Sequence, residues 1–236
     1  MVLKKNIIYF LILPIYYLIY KNFIFGLIHK FFIKKFYYKN FKFDLNIERL
    51  PISYFCSFLF KTYEYNDRVL VEKNINHKNR CIIIGGGLGF IPTLSYHKSL
   101  NKILVFEINE KIIKNLKNNL TKNNCDFILY NKNLTLLNEN KVSNYFNGKF
   151  FFSTSQYLKT KEIKQIENIN IKDVINFDQY NTLIIDGEGI EEYFINNVDK
   201  LNYIKYLIFE LHYNLFEKEK INLMFQKLKK FNFIQV

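Results

Sequence analysis

The sequence predicts an α/β protein, with a mostly parallel central sheet and helices on both faces, preceded by hydrophobic amino-terminal helices. Three observations predict it. Beyond residue 80, short apolar runs alternate with stretches of helical periodicity, the pattern of successive βαβ units. Four of the chain's eight glycines fall within residues 85–89, at the joint between the first such run and the first helical stretch. At 236 residues, with 49% hydrophobic and 18% aromatic residues, the chain can fill one sizeable core and carry an appendage.

The elements follow in order. CIII at 81–84 is the first strand, and a helix begins near Ile91 after the glycines. KILVF at 102–106 is the second strand. Ile108, Ile112, Ile113, Leu116 and Leu120 then recur at helical spacing, which predicts a helix over 109–120 with one core-facing stripe. DFILY at 126–130 supplies a third strand and TLII at 182–185 a fourth. Ile190, Phe194, Ile195, Val198 and Leu201 mark a further amphipathic helix, and YLIFEL at 206–211 reads as a fifth strand. Ile221, Met224, Phe225 and Leu228 stripe the last helix, ahead of a closing strand at FNFIQV. Residues 131–179 break the rhythm with Asn-rich loops, FFF at 150–152 and Lys/Glu alternation at 161–167. They read as an insertion placed to wall a substrate site, since ligands of open α/β sheets bind beyond the carboxyl ends of the strands.

Residues 1–60 form a basic, hydrophobic, helical segment ahead of a domain over 61–236. Ile7–Tyr20 carries no charge and follows Lys4 and Lys5, but no small-residue cleavage site comes after it. Fourteen residues are too few for a spanning helix, which needs about 20, and Pro14 interrupts them. The next stretch, residues 22–43, mixes aromatics with Lys as interfacial helices do. Two readings stand: a peripheral helix that touches a membrane or partner through residues 1–40, or helices packed on the domain's own surface. Cys56, Cys81 and Cys125 lie far apart with no CxxC spacing, which fits neither a disulfide framework nor a zinc cluster and points to a reducing cytoplasm, with the inner face of the membrane as the alternative location.

The net charge of +13 would ordinarily suggest a polyanionic partner. The abundance of Lys, Asn, Ile, Tyr and Phe with no Trp is also what an AT-rich coding genome produces, so the charge is discounted. Nor is there an Asn/Asp-Pro-Pro-aromatic element to receive a flipped base, which argues against a nucleic-acid partner.

The candidate site begins with Gly85, Gly86, Gly87 and Gly89 in Ile84-Gly85-Gly86-Gly87-Leu88-Gly89-Phe90. Glycines there let the backbone turn tightly and approach a ligand at a helix amino terminus. Glu107, immediately after the second strand and 22 residues beyond Gly85, can accept both hydroxyls of a ribose; Ile108 adjoins it. Glycine bend and acidic strand end together fit an adenosine-type cofactor, and GGGLG departs from the usual dinucleotide GxGxxG. A second constellation is Ile185-Asp186-Gly187-Glu188 followed by Phe209-Glu210-Leu211-His212. Residues two apart on a strand share a face, so Asp186 with Glu188, and Glu210 with His212, are expected to point at one crevice. Glu188 and Glu191 also suit the start of a helix. These groups could hold a hard divalent metal, though nothing in the spacing demands one.

The chain resembles the FkbM-type methyltransferases. The resemblance rests on IIIGGGLGF at 82–90, VFEINEKIIKNLKNN at 105–119, LIIDGEGIEE at 183–192 and LIFELH at 207–212, with Tyr63-Glu64 ahead of them. It implies a Rossmann-like fold and methyl transfer from S-adenosylmethionine to a hydroxyl on a sugar, polysaccharide or secondary metabolite. By motif, Gly85, Gly87 and Gly89 would cradle the methionine part, Glu107 would hold the ribose and Asp186 would face the transfer crevice. His212 or Asp186 is the candidate base, with Glu210 orienting the histidine and Glu188 beside them. Ile83 stands where the family commonly has an acidic residue, and with the sequence ending at FNFIQV the last antiparallel strand of such folds is expected to be missing or replaced. Two rivals are a non-catalytic module of the same fold tethered at a membrane or partner, and a nucleic-acid methyltransferase.

Overall fold

The computed structural model describes residues 34–45, 52–138, 141–147, 154–155, 163–187, 189–211 and 215–234. The chain divides into two compact units, 1–65 and 66–236.

In the first unit, β1 (Lys35–Tyr38) and β2 (Phe41–Asp44) pair antiparallel and are followed by α1 (Ile52–Leu59). Phe36 and Phe43 on the inward face are buried, and the Phe36 ring also meets Phe58 and Tyr63. The helix expected over 22–43 is therefore corrected in its last part. Residues 35–38 alternate exposed and buried side chains at period two, and in 41–44 Phe43 alone is fully buried, a strand pattern that the Lys–aromatic mixture conceals. The apolar run Ile7–Tyr20 lies outside the described residues. Among the described residues, no helix is long and apolar enough to cross a membrane.

The second unit is built on five parallel strands. They are β3 (Cys81–Ile84), β4 (Ile103–Phe106), β5 (Phe127–Tyr130), β10 (Thr182–Ile185) and β11 (Tyr206–Phe209), side by side in the order β11-β10-β3-β4-β5. The chain runs outward from β3 to β5, then returns to the other side of β3. That reversal is the strand order of a Rossmann-like fold, and it opens a crevice beyond the carboxyl ends of β3 and β10. Helices α2 (Tyr65–Asn74), α3 (Phe90–Ser99), α4 (Glu110–Lys122), α5 (Glu191–Asn196) and α6 (Lys218–Lys230) connect or flank them.

β3, β4 and β10 are buried on both faces, so they read as unbroken apolar runs. Ile82, Leu104 and Leu183 face a core shared with Phe194 of α5. On the opposite face Val105 meets Leu116 of α4 beneath Gly86. Ile83, where an acid would suit the resembled family, is completely buried.

At the amino-terminal edge of the sheet, asparagine side chains act as substitutes for backbone. Asn79 donates to the Thr182 hydroxyl at 2.9 Å, Asn101 to the Asn79 carbonyl at 2.8 Å and Asn181 to the Lys78 carbonyl at 2.9 Å. His97 lies on α3 with its ring Nε2 2.7 Å from the Asn123 carbonyl.

The insertion folds as a second sheet, with β6 (Asn133–Thr135), β7 (Val142–Asn147), β8 (Thr154–Ser155) and β9 (Ile163–Asn170) in the order β6-β9-β7-β8. It is tied to α5 by Tyr193, whose hydroxyl accepts the N–H groups of Leu136 at 2.8 Å and Leu137 at 3.3 Å. The closing strand expected at FNFIQV is not formed by residues 231–234, which make a turn after α6 and then run without regular structure; 235–236 lie outside the described residues. Phe233 instead packs against the Met224–Leu228 cluster.

Because Leu136 is buried, Tyr193→Phe leaves its N–H without an acceptor and should cost about 1–3 kcal/mol in a urea melt. Amides of β6 and β9 should exchange faster than those of β3 and β4.

Candidate functional site

β3 and β10 end in register, Ile84 opposite Ile185, so Gly85 and Asp186 leave the sheet side by side. Gly85 has φ +86°, and a Cβ there would lie 1.8 Å from the Asp186 carbonyl oxygen. Only glycine fits, because both the backbone conformation and the neighbouring main chain forbid a side chain. Gly87 and Gly89 also have positive φ, +52° and +85°. Gly89 then stands at the amino terminus of α3, and Pro92 falls in its first turn, where a missing N–H costs no helical bond.

Glu107 holds this bend from the side. It follows β4 and is almost wholly buried, with one carboxylate oxygen accepting the Gly87 N–H at 3.0 Å and the other the Asn109 N–H at 2.8 Å. A carboxylate accepts at about four positions on its two oxygens, so hydroxyl donors of a ligand can share it with, or displace, main-chain N–H groups. Vicinal ribose hydroxyls are such donors. Ile108 is half-buried between the two; its N–H points to the same carboxylate. Burial raises the Glu107 carboxyl above its ordinary 4.5, opposed by the N–H groups of Asn109, Gly87, Ile108 and Gly86.

Two asparagines that the sequence did not single out fix the rest of the bend. Asn119 on α4, itself fully buried, donates to the Leu88 carbonyl at 2.9 Å, and Asn131 after β5 donates to the Glu107 carbonyl at 2.8 Å. Asn119 is polar, so the apolar stripe of α4 does not mark it.

The second constellation assembles differently from its expected form. The strands stop at Ile185 and Phe209, so Asp186 and Glu210 lie just past them, and strand alternation no longer decides where their neighbours point. Asp186 and Glu210 do approach each other. A third acid joins them: Asp67, buried on α2, so that one oxygen from each of the three carboxylates lies within 4.8 Å of the others. Glu188 and His212 lie outside the described residues. Asp67 stands three residues after the Tyr63-Glu64 pair, and nothing local marked it. Hard oxygens so arranged suit a divalent cation or an ammonium group and can also take up a proton.

The cysteines remain free thiols. Burial pushes Cys81 up to about 12 and Cys125 up to about 11, so neither serves as a nucleophile at neutral pH.

No protein-family model and no curated protein matches the chain. Among solved structures, the precorrin-6y C5,15-methyltransferase from Geobacter metallireducens GS-15 is similar, at 11% identity and a TM-score of 0.43 over 71% of each chain. The Rossmann-like assignment rests on the strand order of the chain itself. The FkbM resemblance rests on its motifs.

Gly85→Ala combines backbone strain with a main-chain clash and should cost about 4 kcal/mol of stability, read by thermal or urea melts. For Glu107 the sign follows from its raised value. Between 4.5 and that value the folded chain binds more protons than the unfolded one, so this contribution is complete below 4.5 and declines as pH rises through the window. Denaturant melts across pH should show that slope, and Glu107→Gln should flatten it.

Proposed function

We propose that this protein binds S-adenosylmethionine and transfers its methyl group to a hydroxyl on a glycan or small-molecule acceptor, as FkbM-type methyltransferases do. One observation carries the reading: the glycine bend after β3 and the carboxylate after β4 are hydrogen-bonded to each other at the crevice of a parallel sheet. The residues present fit the cofactor. Gly85, Gly86, Gly87 and Gly89 bring main chain close to its methionine part, Glu107 accepts its ribose hydroxyls, and Ile108 lies next along the chain. Asp67, Asp186 and Glu210 place negative charge near the crevice, where buried Ile83 supplies none.

Bound S-adenosylmethionine supplies an electrophilic methyl group on a sulfonium. The protein's task is to hold the acceptor oxygen in line with it and keep water out. Asp186 accepts the hydroxyl proton on a carboxylate oxygen as the oxygen attacks. His212 is the second candidate for that proton, with Glu210 to orient it, and Glu188, two residues after Asp186 in sequence, is the remaining candidate. The β6–β9 insertion, tied to α5 through Tyr193, is the element that selects the acceptor. A non-catalytic module would keep the fold and bind no cofactor.

Calorimetry with S-adenosylmethionine should show saturable binding, weakened about 10- to 100-fold by Glu107→Gln, which sets an amide donor against a backbone N–H. Asp186→Asn should lower S-adenosylhomocysteine release on a hydroxylated acceptor panel by about 10²- to 10⁴-fold with affinity little changed. No heat of binding to the wild-type chain would overturn the reading.

A further inference from the structure

Positive charge is not spread evenly along this chain. Of its 34 basic residues eight fall in the first 45 positions, against a single one of its 21 acids, Asp44. A coding bias that favours lysine acts on the whole sequence and does not remove acids from one end. The β1–β2 hairpin displays part of this excess on one face. Its inward side chains, Phe36 and Phe43, are buried with ring centroids 5.8 Å apart. Outward, Lys35 stands opposite Asp44 and Tyr37 opposite Lys42, and Lys39 occupies the turn. Tyr37 is 53% exposed, with the Lys42 ammonium 5.8 Å from its ring centre.

We propose that this outward face is a docking surface for a membrane carrying anionic lipid headgroups. Lysines around an exposed tyrosine suit the headgroup layer, where an aromatic ring sits at the boundary and ammonium groups meet phosphates. Charge alone would equally suit a nucleic acid. The uncharged run Ile7–Tyr20 in the same stretch favours lipid, because durable peripheral binding combines an apolar element with a basic patch.

Flotation of the full-length protein with phosphatidylcholine vesicles, with and without phosphatidylglycerol, tests this. Binding should require phosphatidylglycerol and fall at high salt. The triple variant Lys35→Gln, Lys39→Gln, Lys42→Gln should lose on the order of 100-fold in partitioning, about fivefold per lysine. Its circular dichroism melt should match the wild type, since the buried face of the hairpin is untouched. Equal partitioning into both vesicle types, unchanged partitioning of the variant, or no binding to either would overturn the proposal. So would tighter binding to a DNA duplex at the same salt.

Discussion

The contact between the Glu107 carboxylate and the Gly87 N–H organises this molecule's candidate site. It joins the loop after β3 to the end of β4. A buried carboxylate is costly unless its oxygens are satisfied, and here main-chain donors do so. One of them, the Gly87 N–H, comes from the bend in which Gly85, Gly87 and Gly89 take positive φ. Asn119 fixes the far side of the same loop through the Leu88 carbonyl. The bend is thus held before any ligand arrives, and preorganisation of this kind is what binding and transfer reactions require.

The two edges of the parallel sheet are treated differently. At the amino-terminal edge Asn79, Asn101 and Asn181 saturate main-chain and hydroxyl partners with short side chains, so an asparagine-rich composition contributes to cohesion there. At the carboxyl edge the chain gathers Glu107, Asp186, Glu210 and, from α2, Asp67. Of these, Asp67, Asp186 and Glu210 bring one oxygen each within 4.8 Å of the others.

Between these edges the insertion is neither a loose loop nor a continuation of the main sheet. Its strands pair with one another, and Tyr193 connects them to the helix that follows Asp186. A side chain on α5 thus ties the insertion to the main domain through one hydroxyl. The amino-terminal hairpin, with its own aromatic core, is a separate packing problem.

What the sequence by itself determined was local. CIII, TLII and the glycine run were legible because a doubly buried strand must be continuously apolar and a tight bend must lack side chains; both rules act on adjacent residues. Glu107 was legible for the same reason, standing one residue past its strand. The tertiary structure alone decided that Asp67 joins Asp186 and Glu210, that Asn119 grips Leu88 and that residues 35–44 are a hairpin. These contacts join residues far apart in sequence, or depend on which face of a short segment finds a core. No periodicity along the chain encodes them, since the information lies in the partner that packing supplies.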